Sequence, residues 1–385
     1  MKRSTEKILV SHVGSLPAPE KLSEVPGGAD AGPGAGQAVL AAAVADIVRT
    51  QEQAGIDIVN DGELAKTGGF SRYAAQRMNG IEQVSVEADD LRWSADRRDR
   101  AEFPGFYSHD TTGFARSGRR RRRWACTAPL TYAGHDQVAA DIERLRAAAA
   151  GSDAEPFLTA VAPGTVEHWL MNQYYPDQES FLTAIADVMH EEYRAITDAG
   201  IVLQVDNPDL PDAWQLYPEM DVPAYRRYAA LRVEALNHAL DGLPEQLVRL
   251  HVCWGSYHGP HKNDIPLRDI VDLVLSVRAM CYSVEGANPV HEHEWQIWED
   301  ASLPDGKVLM TGAVGHSSNL IEHPDLVAQR VLRLAAILGR ENVIAGTDCG
   351  LGHRVAHPEI CWAKLQSLAE GARRASARLW NGQAA

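Results

Sequence analysis

The feature that most constrains the fold of this chain is the alternation of short β-rich runs with long helical stretches rich in alanine and leucine. In this pattern each strand is followed by a helical crossover, which predicts a parallel sheet. Eight such units close a (β/α)8 TIM barrel, an α/β fold of about 250 residues plus loop insertions, which fits the 385 residues present. The runs predicted as strands are Ile8–Val13, Ile56–Asp61, Trp124–Tyr132, Phe157–Ala162, Ile201–Asp206, Val248–Cys253, Met280–Glu285, Val308–Val314 and Val343–Asp348. The clearest predicted helices are Gly36–Ala54, Gln178–Ala199, Val222–Leu240, Pro266–Val277 and His323–Leu338.

The nine predicted strands are one more than an eight-stranded barrel needs. Trp124–Tyr132 is interpreted as the additional strand, because no clear helix precedes it. Residues 85–123 are charged, contain glycine, include the run Phe103-Pro-Gly-Phe106 and end in Arg119–Arg123. We therefore predict a hairpin or lid inserted into the barrel around residues 85–132.

Two biased segments are interpreted as loops rather than as domain boundaries. The arginine run Arg119–Arg123 is read as a solvated loop, with binding of an anionic ligand as the alternative. The Gly/Ala/Pro-rich run Pro26–Gln37 is read as a local flexible loop. With no internal repeat and no linker, residues 1–385 are predicted to form a single catalytic domain.

Charge and cysteine content narrow the function classes. The chain has 52 acidic and 37 basic side chains, a formal net charge of −15. Nucleic acids and anionic membrane surfaces attract positive protein surfaces, so neither is expected as the main partner. No signal peptide or long apolar segment is recognised, and five cysteines do not suggest a disulfide framework. A cytoplasmic protein is expected, and assembly into a homo-oligomer is left open.

The most informative side chains lie at predicted strand ends. His251 and Cys253 stand two residues apart, and in a strand such side chains point to the same side. Cys349 follows the last predicted strand, and Glu285 ends the strand after His251. In a TIM barrel these positions meet at the C-terminal face, where active sites are built. Two thiolates, an imidazole and an exchangeable carboxylate favour zinc with a position open for a substrate. The alternative is that the cysteines are small buried apolar side chains.

The remaining cysteines and a second histidine pair are interpreted as structural. Cys126, Cys281 and Cys361 are expected to be buried apolar side chains. His291 and His293 follow an Asn-Pro sequence and are predicted to open a helix. At that spacing, helical side chains diverge by about 200°, so these two are not expected to chelate one ion.

Five motifs resemble those of the cobalamin-independent methionine synthase family. They occur in order along the chain and correspond to the family's C-terminal catalytic barrel. Within the superfamily the sequence is more similar to the single-barrel branch, which includes epoxyalkane:coenzyme M transferase. The motifs are Ser11-His-Val-Gly-Ser-Leu-Pro, Val59-Asn-Asp-Gly-Glu63, Leu203-Gln-Val-Asp-Asn-Pro, Leu250-His-Val-Cys and Thr347-Asp-Cys-Gly-Leu.

The resemblance implies a zinc site and a site for a thiol substrate. The implied zinc ligands are His251, Cys253, Glu285 and Cys349, the set that the strand ends already indicate. The implied substrate contacts are Gly14 and Ser15 for a carboxylate, and Glu63 and Asp206 for an ammonium group. Backbone N–H groups and a hydroxyl suit a carboxylate, while two acids suit an amine. The alternative is that Glu63 and Asp206 are ordinary residues of an Asp-Gly and an Asn-Pro turn.

Two further residues match the family's pattern near the reacting groups. His316 matches the catalytic histidine, which implies that it protonates the leaving group. Trp169 has the same spacing from Thr165 as the family's tryptophan that stacks on the folate. The residues after Trp169 depart from that pattern, and the alternative is that this side chain covers the barrel mouth.

The implied activity is zinc-dependent thiol alkyltransfer, with methyl transfer to homocysteine as the favoured reaction in methionine biosynthesis. The partners would be a small thiol and an alkyl donor: a folate-like molecule, a corrinoid-borne methyl group or an epoxide. The alternative is epoxide opening by coenzyme M, whose sulfonate would need a cation from Lys66, Arg72 or Arg119–Arg123. The acid pair Glu63 and Asp206 favours homocysteine.

Two readings from other classes are less consistent with the sequence. The related uroporphyrinogen decarboxylase barrel needs no metal, so the His251, Cys253 and Cys349 set would have no purpose there. A non-catalytic barrel with a structural zinc is the other alternative, although structural zinc sites are usually closed and four-coordinate.

Overall fold

The computed structural model describes residues 1–19, 22, 35–66, 69–86, 97–109, 122–255, 257–352 and 354–381. The strands of this part of the chain are β1 (Leu9–Val10), β2 (Ile58–Val59), β3 (Met78–Ser85), β4 (Arg122–Tyr132), β5 (Glu155–Val161), β6 (Leu170–Asn172), β7 (Val202–Asp206), β8 (Val248–Val252), β9 (Cys281–Val284), β10 (Val308–Val314) and β11 (Val343–Thr347). They form two sheets.

Eight parallel strands form the main sheet in the order β1-β11-β10-β9-β8-β7-β5-β2. The two end strands also meet. The backbone N of Asp57 donates to Val10 O (2.9 Å), and Ser11 Oγ donates to Ile58 O (3.2 Å). The sheet is therefore a nearly closed barrel, which confirms the predicted (β/α)8 fold.

The helices of the described ranges connect and cover these strands. They are α1 (Ala35–Gln53), α2 (Phe70–Gln76), α3 (Arg97–Glu102), α4 (Pro104–His109), α5 (His135–Ala148), α6 (Pro163–Trp169), α7 (Gln178–Asp198), α8 (Asp209–Leu216), α9 (Val222–Ala239), α10 (Val271–Leu275), α11 (Ile297–Asp300), α12 (Pro324–Leu338) and α13 (Pro358–Asn381). Short 3-10 turns lie at Glu245–Leu247, Leu267–Asp269, Glu292–Gln296 and Arg340–Asn342. None of the helices in these ranges has the length and apolar character needed to cross a membrane.

Apolar side chains pack both outside and inside the barrel. The larger cluster lies between the sheet and the helices. The smaller one fills the barrel interior and consists of Leu9, Val13, Ile58, Phe157, Val202, Cys281, Val308, Met310 and Ile344. Alternation along a strand sends every second side chain inward. Arg249 also points inward, and its guanidinium carbon lies 4.0 Å from the centroid of the Phe157 ring.

The inserted region confirms the predicted hairpin and its surplus strand. The second sheet has the order β3-β4-β6, with β3 antiparallel to β4 and β4 parallel to β6. The segment predicted as Trp124–Tyr132 is part of β4 and does not join the barrel. Strands β3 and β6 were not predicted from the sequence, because neither has a clear alternating apolar pattern.

Three sequence interpretations need correction. Arg122 and Arg123 begin β4 rather than lie in a loop, because they pair with Ser85 and Val84 of β3. Ala35–Gln37 belongs to α1, since its alanine-rich continuation favours a helix. The rest of the arginine run (119–121) and of the Pro/Gly-rich run (26–34) lies outside the described residues. The predicted helix 266–277 is instead two short turns of helix, Leu267–Asp269 and α10.

Candidate metal and thiol-binding site

A cavity opens at the C-terminal ends of the barrel strands, where TIM-barrel active sites lie. Its volume is about 410 Å³. Residues from the ends of five strands and from the segments that follow them line it, namely Val13, Ser15, Glu63, Lys66, Gly69, Asp206, Pro208, Asp212, His251, Cys253, Gly255, Tyr257, Cys349, Gly350 and Arg354. Six residues that the sequence indicated as metal ligands or substrate contacts are among them: Ser15, Glu63, Asp206, His251, Cys253 and Cys349.

Three of the predicted metal ligands meet in this cavity. His251 lies near the end of β8, Cys253 directly follows this strand, and Cys349 follows β11. One ligand atom from each residue lies within 4.8 Å of the others. The Nδ1 atom of His251 faces Ser283 Oγ at 3.1 Å, and Nε2 has no hydrogen-bond partner among the described residues. A histidine held through one ring nitrogen, with the other buried and unpaired, is typical of a metal ligand. The residues present therefore fit zinc.

The two thiols of this trio have different proton affinities. The hydrogen bond from Cys253, with further help from His251, holds the pKa of Cys349 well below its usual range. The hydrogen bond to Cys349 and burial raise the pKa of Cys253 well above its usual range. One thiolate is thus favoured by the protein itself, and thiolate is the form that binds metal.

Glu285 lies beside the trio and is held by neighbouring groups. Its Oε1 accepts from the backbone N of Trp254 (3.1 Å), and its Oε2 accepts from Asn288 Nδ2 (3.0 Å). One of its oxygens lies within 4.8 Å of ligand atoms of His316 and Asp348. These three residues form a cluster separate from the trio of His251, Cys253 and Cys349. Burial raises the pKa of Glu285 to about 8, with a further contribution from Asp348. The structure therefore brings together three of the four predicted ligands directly and the fourth as their neighbour.

Glu63 and Asp206 both line the cavity and influence each other. Glu63 occupies a left-handed backbone conformation (φ 59°) in the turn after β2, a strained state that clusters at functional sites. Burial raises the pKa of Glu63 to about 7, with Asp61 adding to the effect and Lys66 opposing it. Burial, and next the charge of Glu63, raise the pKa of Asp206 well above its usual range. Two neighbouring carboxyls that are hard to ionise together are stabilised in their ionised form when a cation lies between them.

The Gly14–Ser15 turn offers donors of the kind that a carboxylate needs. Gly14 has φ 152°, and a side chain there would collide with the Glu63 carboxylate, so only glycine fits. Within the described ranges, neither the N–H of Gly14 nor that of Ser15 donates a hydrogen bond to the backbone. Ser15 also lines the cavity. The turn thus lies next to Glu63 of the acid pair.

His316 and Trp169 lie outside the cavity lining, as far as the described residues define it. His316 is buried next to Glu285 and Asp348, and its Nδ1 has no partner among the described residues. Burial lowers the pKa of His316, which favours the neutral ring near pH 7. Trp169 ends α6 and packs half-buried against the outer core.

Several cavity residues carry little or no signal in the sequence. Tyr257 and Arg354 come from loops and Asp212 from α8, and their sequences contain no recognisable motif. Lys66 was considered only as a cation for a sulfonate, but its Nζ donates to Thr159 O and to Thr159 Oγ1 (2.6 Å). Arg72 is exposed and does not belong to the described lining.

The second histidine pair does not form a metal site within the described residues. His291 is buried, stacks on Trp254 with a ring-centroid distance of 4.1 Å, and contacts Asp264 (3.2 Å) and Glu294 (2.9 Å). These hydrogen bonds outweigh burial and raise the pKa of His291 to about 10. His293 is exposed. His291 therefore supports the loop that follows β8.

The fold and this cavity define a class: parallel (β/α)8 barrels with a Cys/His cluster and paired carboxylates at the C-terminal mouth. No protein-family model matches the chain. Similar curated proteins include methionine synthase from Pyrococcus abyssi, 27% identical over 212 residues, which are 55% of this chain and 54% of that protein. The chain thus spans about half the length of the first curated relatives it matches.

A second relative aligns over more of the chain. The 2-hydroxypropyl-CoM lyase of Xanthobacter autotrophicus is 24% identical over 369 residues, which are 89% of this chain and 87% of that protein. A solved B12-independent methionine synthase from Shewanella sp. W3-18-1 shares the fold, with a TM-score of 0.73, 19% identity and 97% and 99% of the two chains covered. The chain is similar in sequence to methionine synthases and to 2-hydroxypropyl-CoM lyase, and in fold to a B12-independent methionine synthase, which confirms the resemblance inferred from its motifs.

Proposed function

We propose that this protein is a zinc-dependent thiol alkyltransferase that transfers a methyl group to homocysteine and forms methionine. The observation that carries the proposal is the meeting, in one cavity, of a Cys/His trio with two buried carboxylates and Ser15. A thiol, an ammonium group and a carboxylate each find a partner of matching chemistry there. The names of the archaeal relatives support the same reaction. We extend the proposal to residues 1–385 as one catalytic domain.

In this proposal each residue has one task. His251, Cys253 and Cys349 would hold zinc, with the neighbouring Glu285 as fourth ligand. Bound zinc would supply a lowered thiol pKa, so that the substrate is a thiolate at neutral pH.

The residues around the trio would bind and orient the substrate and move a proton. Glu63 and Asp206 would bind the ammonium group, and the Gly14–Ser15 turn the carboxylate. When the thiolate attacks the methyl carbon, the donor's leaving atom takes the electron pair. His316, which is neutral near pH 7, would take up a proton from solvent and pass it to that atom. Trp169 would contact a flat ring of the donor.

The second candidate is the opening of an epoxide by the thiolate of coenzyme M. Two cations in the cavity lining, Lys66 and Arg354, favour it, since a sulfonate needs positive partners. The name of the relative that covers 89% of this chain points the same way. Against it, the acid pair Glu63 and Asp206 would repel an anionic group.

A calorimetric titration separates the two candidates. The zinc-loaded protein is titrated with homocysteine and, under identical conditions, with coenzyme M. We expect homocysteine to bind with proton release and coenzyme M to bind far more weakly. Binding of coenzyme M without binding of homocysteine would favour epoxide opening, and no binding of either thiol would contradict both candidates.

His316→Asn is expected to keep zinc but to slow methyl transfer. Loss of a positioned general acid typically costs about 10²- to 10⁴-fold in rate, and His316 is not one of the trio that would hold the metal. Zinc content and single-turnover methionine formation are the measurements. His293→Asn, at an exposed position, serves as the matched control. Unchanged turnover in His316→Asn would remove the proposed proton transfer.

The pH dependence of binding is expected to report on Glu63. Because burial raises the pKa of this carboxyl to about 7, it is neutral below that pH and negative above it. An ammonium ligand therefore gains its partner as the pH rises through about 7. Any thiol that loses its proton on binding also binds more tightly at high pH. We therefore compare homocysteine with 4-mercaptobutyrate, which lacks the amine. The ratio of their affinities should rise between pH 6 and about 8, and a flat ratio would contradict the role of Glu63.

A further inference from the structure

Gln204 is fully buried in the barrel interior, directly beneath the proposed substrate groups. It lies on β7, two residues before Asp206, so both side chains point into the barrel. Its Nε2 donates to Asp206 Oδ1 (2.7 Å) and also to the backbone O of Val13. A primary amide has two N–H bonds. Both N–H bonds of the Gln204 amide are thus used, one toward the carboxylate-binding turn and one toward the ammonium-binding Asp206.

The bond to Val13 fixes the orientation of the Gly14–Ser15 turn. The described peptide bonds are all trans, so the N–H of Gly14 points away from the carbonyl of Val13. When Gln204 draws that carbonyl into the barrel interior, the N–H of Gly14 turns to the opposite side. The next carbonyl, Gly14 O, accepts from the buried Asn60 Nδ2 at 3.2 Å, which turns the N–H of Ser15 in the same way.

The preceding carbonyl, that of His12, also accepts a hydrogen bond from a side chain inside the barrel. Arg249, one strand over from Gln204 in the register of the sheet, donates to His12 O (3.2 Å) and to Ser11 Oγ (2.9 Å). Side-chain donors inside the barrel thus hold three successive carbonyls, those of His12, Val13 and Gly14. Of these donors, Gln204 is the one that also bonds an acid of the proposed ammonium site.

We propose that Gln204 is a positioning residue that fixes the carboxylate-binding turn and the ammonium-binding Asp206 at one separation, and so selects thiols that carry both groups on one carbon. This inference rests on the proposed function of the cavity. Gln204 itself acts only through Val13 and Asp206. If the Gln204 amide positions both the turn and Asp206, its loss must weaken the binding of the carboxylate and of the ammonium group. It must also abolish the extra affinity that a ligand gains by carrying both groups.

Four thiols test this selection in the zinc-loaded protein. They are homocysteine, 4-mercaptobutyrate without the amine, 3-aminopropane-1-thiol without the carboxylate, and propane-1-thiol without either group. In Gln204→Met, which keeps the volume but donates no hydrogen bond, the Kd of homocysteine should rise about 10- to 100-fold, the loss expected for hydrogen bonds to charged groups. The Kd of each ligand with one group should rise less, and that of propane-1-thiol should not change.

The control is Gln215→Met. Gln215 is equally buried, and its side chain bonds Asp99 N (3.2 Å) and Asp264 Oδ1 (2.9 Å), neither of which lines the cavity. It should leave all four Kd values within about twofold of the wild type. Gln204→Asn, whose amide is too short to reach both partners, should give the same pattern as Gln204→Met if the latter does not fold.

Three outcomes would overturn the inference. Unchanged homocysteine binding in both Gln204 variants would show that the amide positions neither group. An equal loss for all four thiols would show a general structural role instead of selection. Failure of the wild-type protein itself to bind homocysteine would overturn the proposed function, and the inference with it, and is thereby distinct from the first two outcomes.

Discussion

Replacing Cys253 or Cys349 with serine is expected to release zinc and to abolish methyl transfer while the barrel stays folded. A serine hydroxyl is not a thiolate at neutral pH, and zinc in such sites favours sulfur and nitrogen donors. Changes in the residues that merely support metal ligands already cost about 10- to 100-fold in metal affinity or activity. Loss of a direct ligand should therefore exceed 100-fold. The measurements are bound zinc per chain, the rate of methionine formation and the circular dichroism spectrum.

The chain supplies a matched control for the cysteine variants. Cys361 is fully buried, but it lies on α13 and is not in the cavity lining of the described residues. Cys361→Ser should keep its zinc and its activity, although it loses some stability. One equivalent of tightly bound zinc in Cys253→Ser or Cys349→Ser would contradict the proposed ligand set. If Cys361→Ser lost as much zinc as Cys253→Ser and Cys349→Ser, the zinc loss in all three variants would be attributed to unfolding.

Glu63→Gln is expected to weaken homocysteine far more than coenzyme M. The amide keeps the shape of the side chain but removes the charge that faces the ligand's ammonium group. Breaking one partner of a buried charge pair costs about 2–5 kcal/mol, or roughly 30- to several-thousand-fold in affinity. Coenzyme M has no amine and should bind Glu63→Gln as well as the wild type or better, because a negative charge has gone. Isothermal titration of both thiols into the wild type and into Glu63→Gln gives the change in affinity for each thiol.

The stability of Glu63→Gln shows whether the fold is intact. The pKa of the Glu63 carboxyl is 4.5 in its ordinary environment and about 7 in the folded protein. Its ionisation therefore favours the unfolded state, and stability falls as the pH rises from about 4.5 through 7. The glutamine side chain has no such charge, so the variant should be at least as stable as the wild type at about pH 8. Equal loss of homocysteine and coenzyme M binding would contradict the role of Glu63 as an ammonium partner.

Predictions from the sequence succeeded where the signal is local. Strand and helix periodicity indicated all eight barrel strands, and β10 (Val308–Val314) was predicted with its observed bounds. The i, i+2 spacing of His251 and Cys253 placed both side chains on one side of a strand end, and the structure has them together. Such features depend on the backbone geometry of a few neighbouring residues, which sequence patterns report directly.

Predictions were incomplete where a segment is held by distant parts of the chain. Strand β3 (Met78–Ser85) has an irregular pattern of apolar residues, and it is a strand because it pairs with β4 across the insertion. The ends of β1 and β2 were predicted too long. Beyond β1, the side chains of Gln204 and Asn60 donate to the carbonyls of Val13 and Gly14, and beyond β2 the side chain of Gln51 bonds the backbone of Asn60.

The sequence by itself determined the barrel class, and it indicated the candidate ligands for a soft metal and the two acids proposed to bind an amine. Only the tertiary structure decided that Glu285 lies beside the trio rather than within it, that Lys66 bonds Thr159 across the cavity wall, and that Gln204 joins Val13 to Asp206. The physical reason is the closure of the barrel. Closure brings together side chains that lie far apart in the chain, such as Val13 and Gln204, and buries them where each donor must find its acceptor.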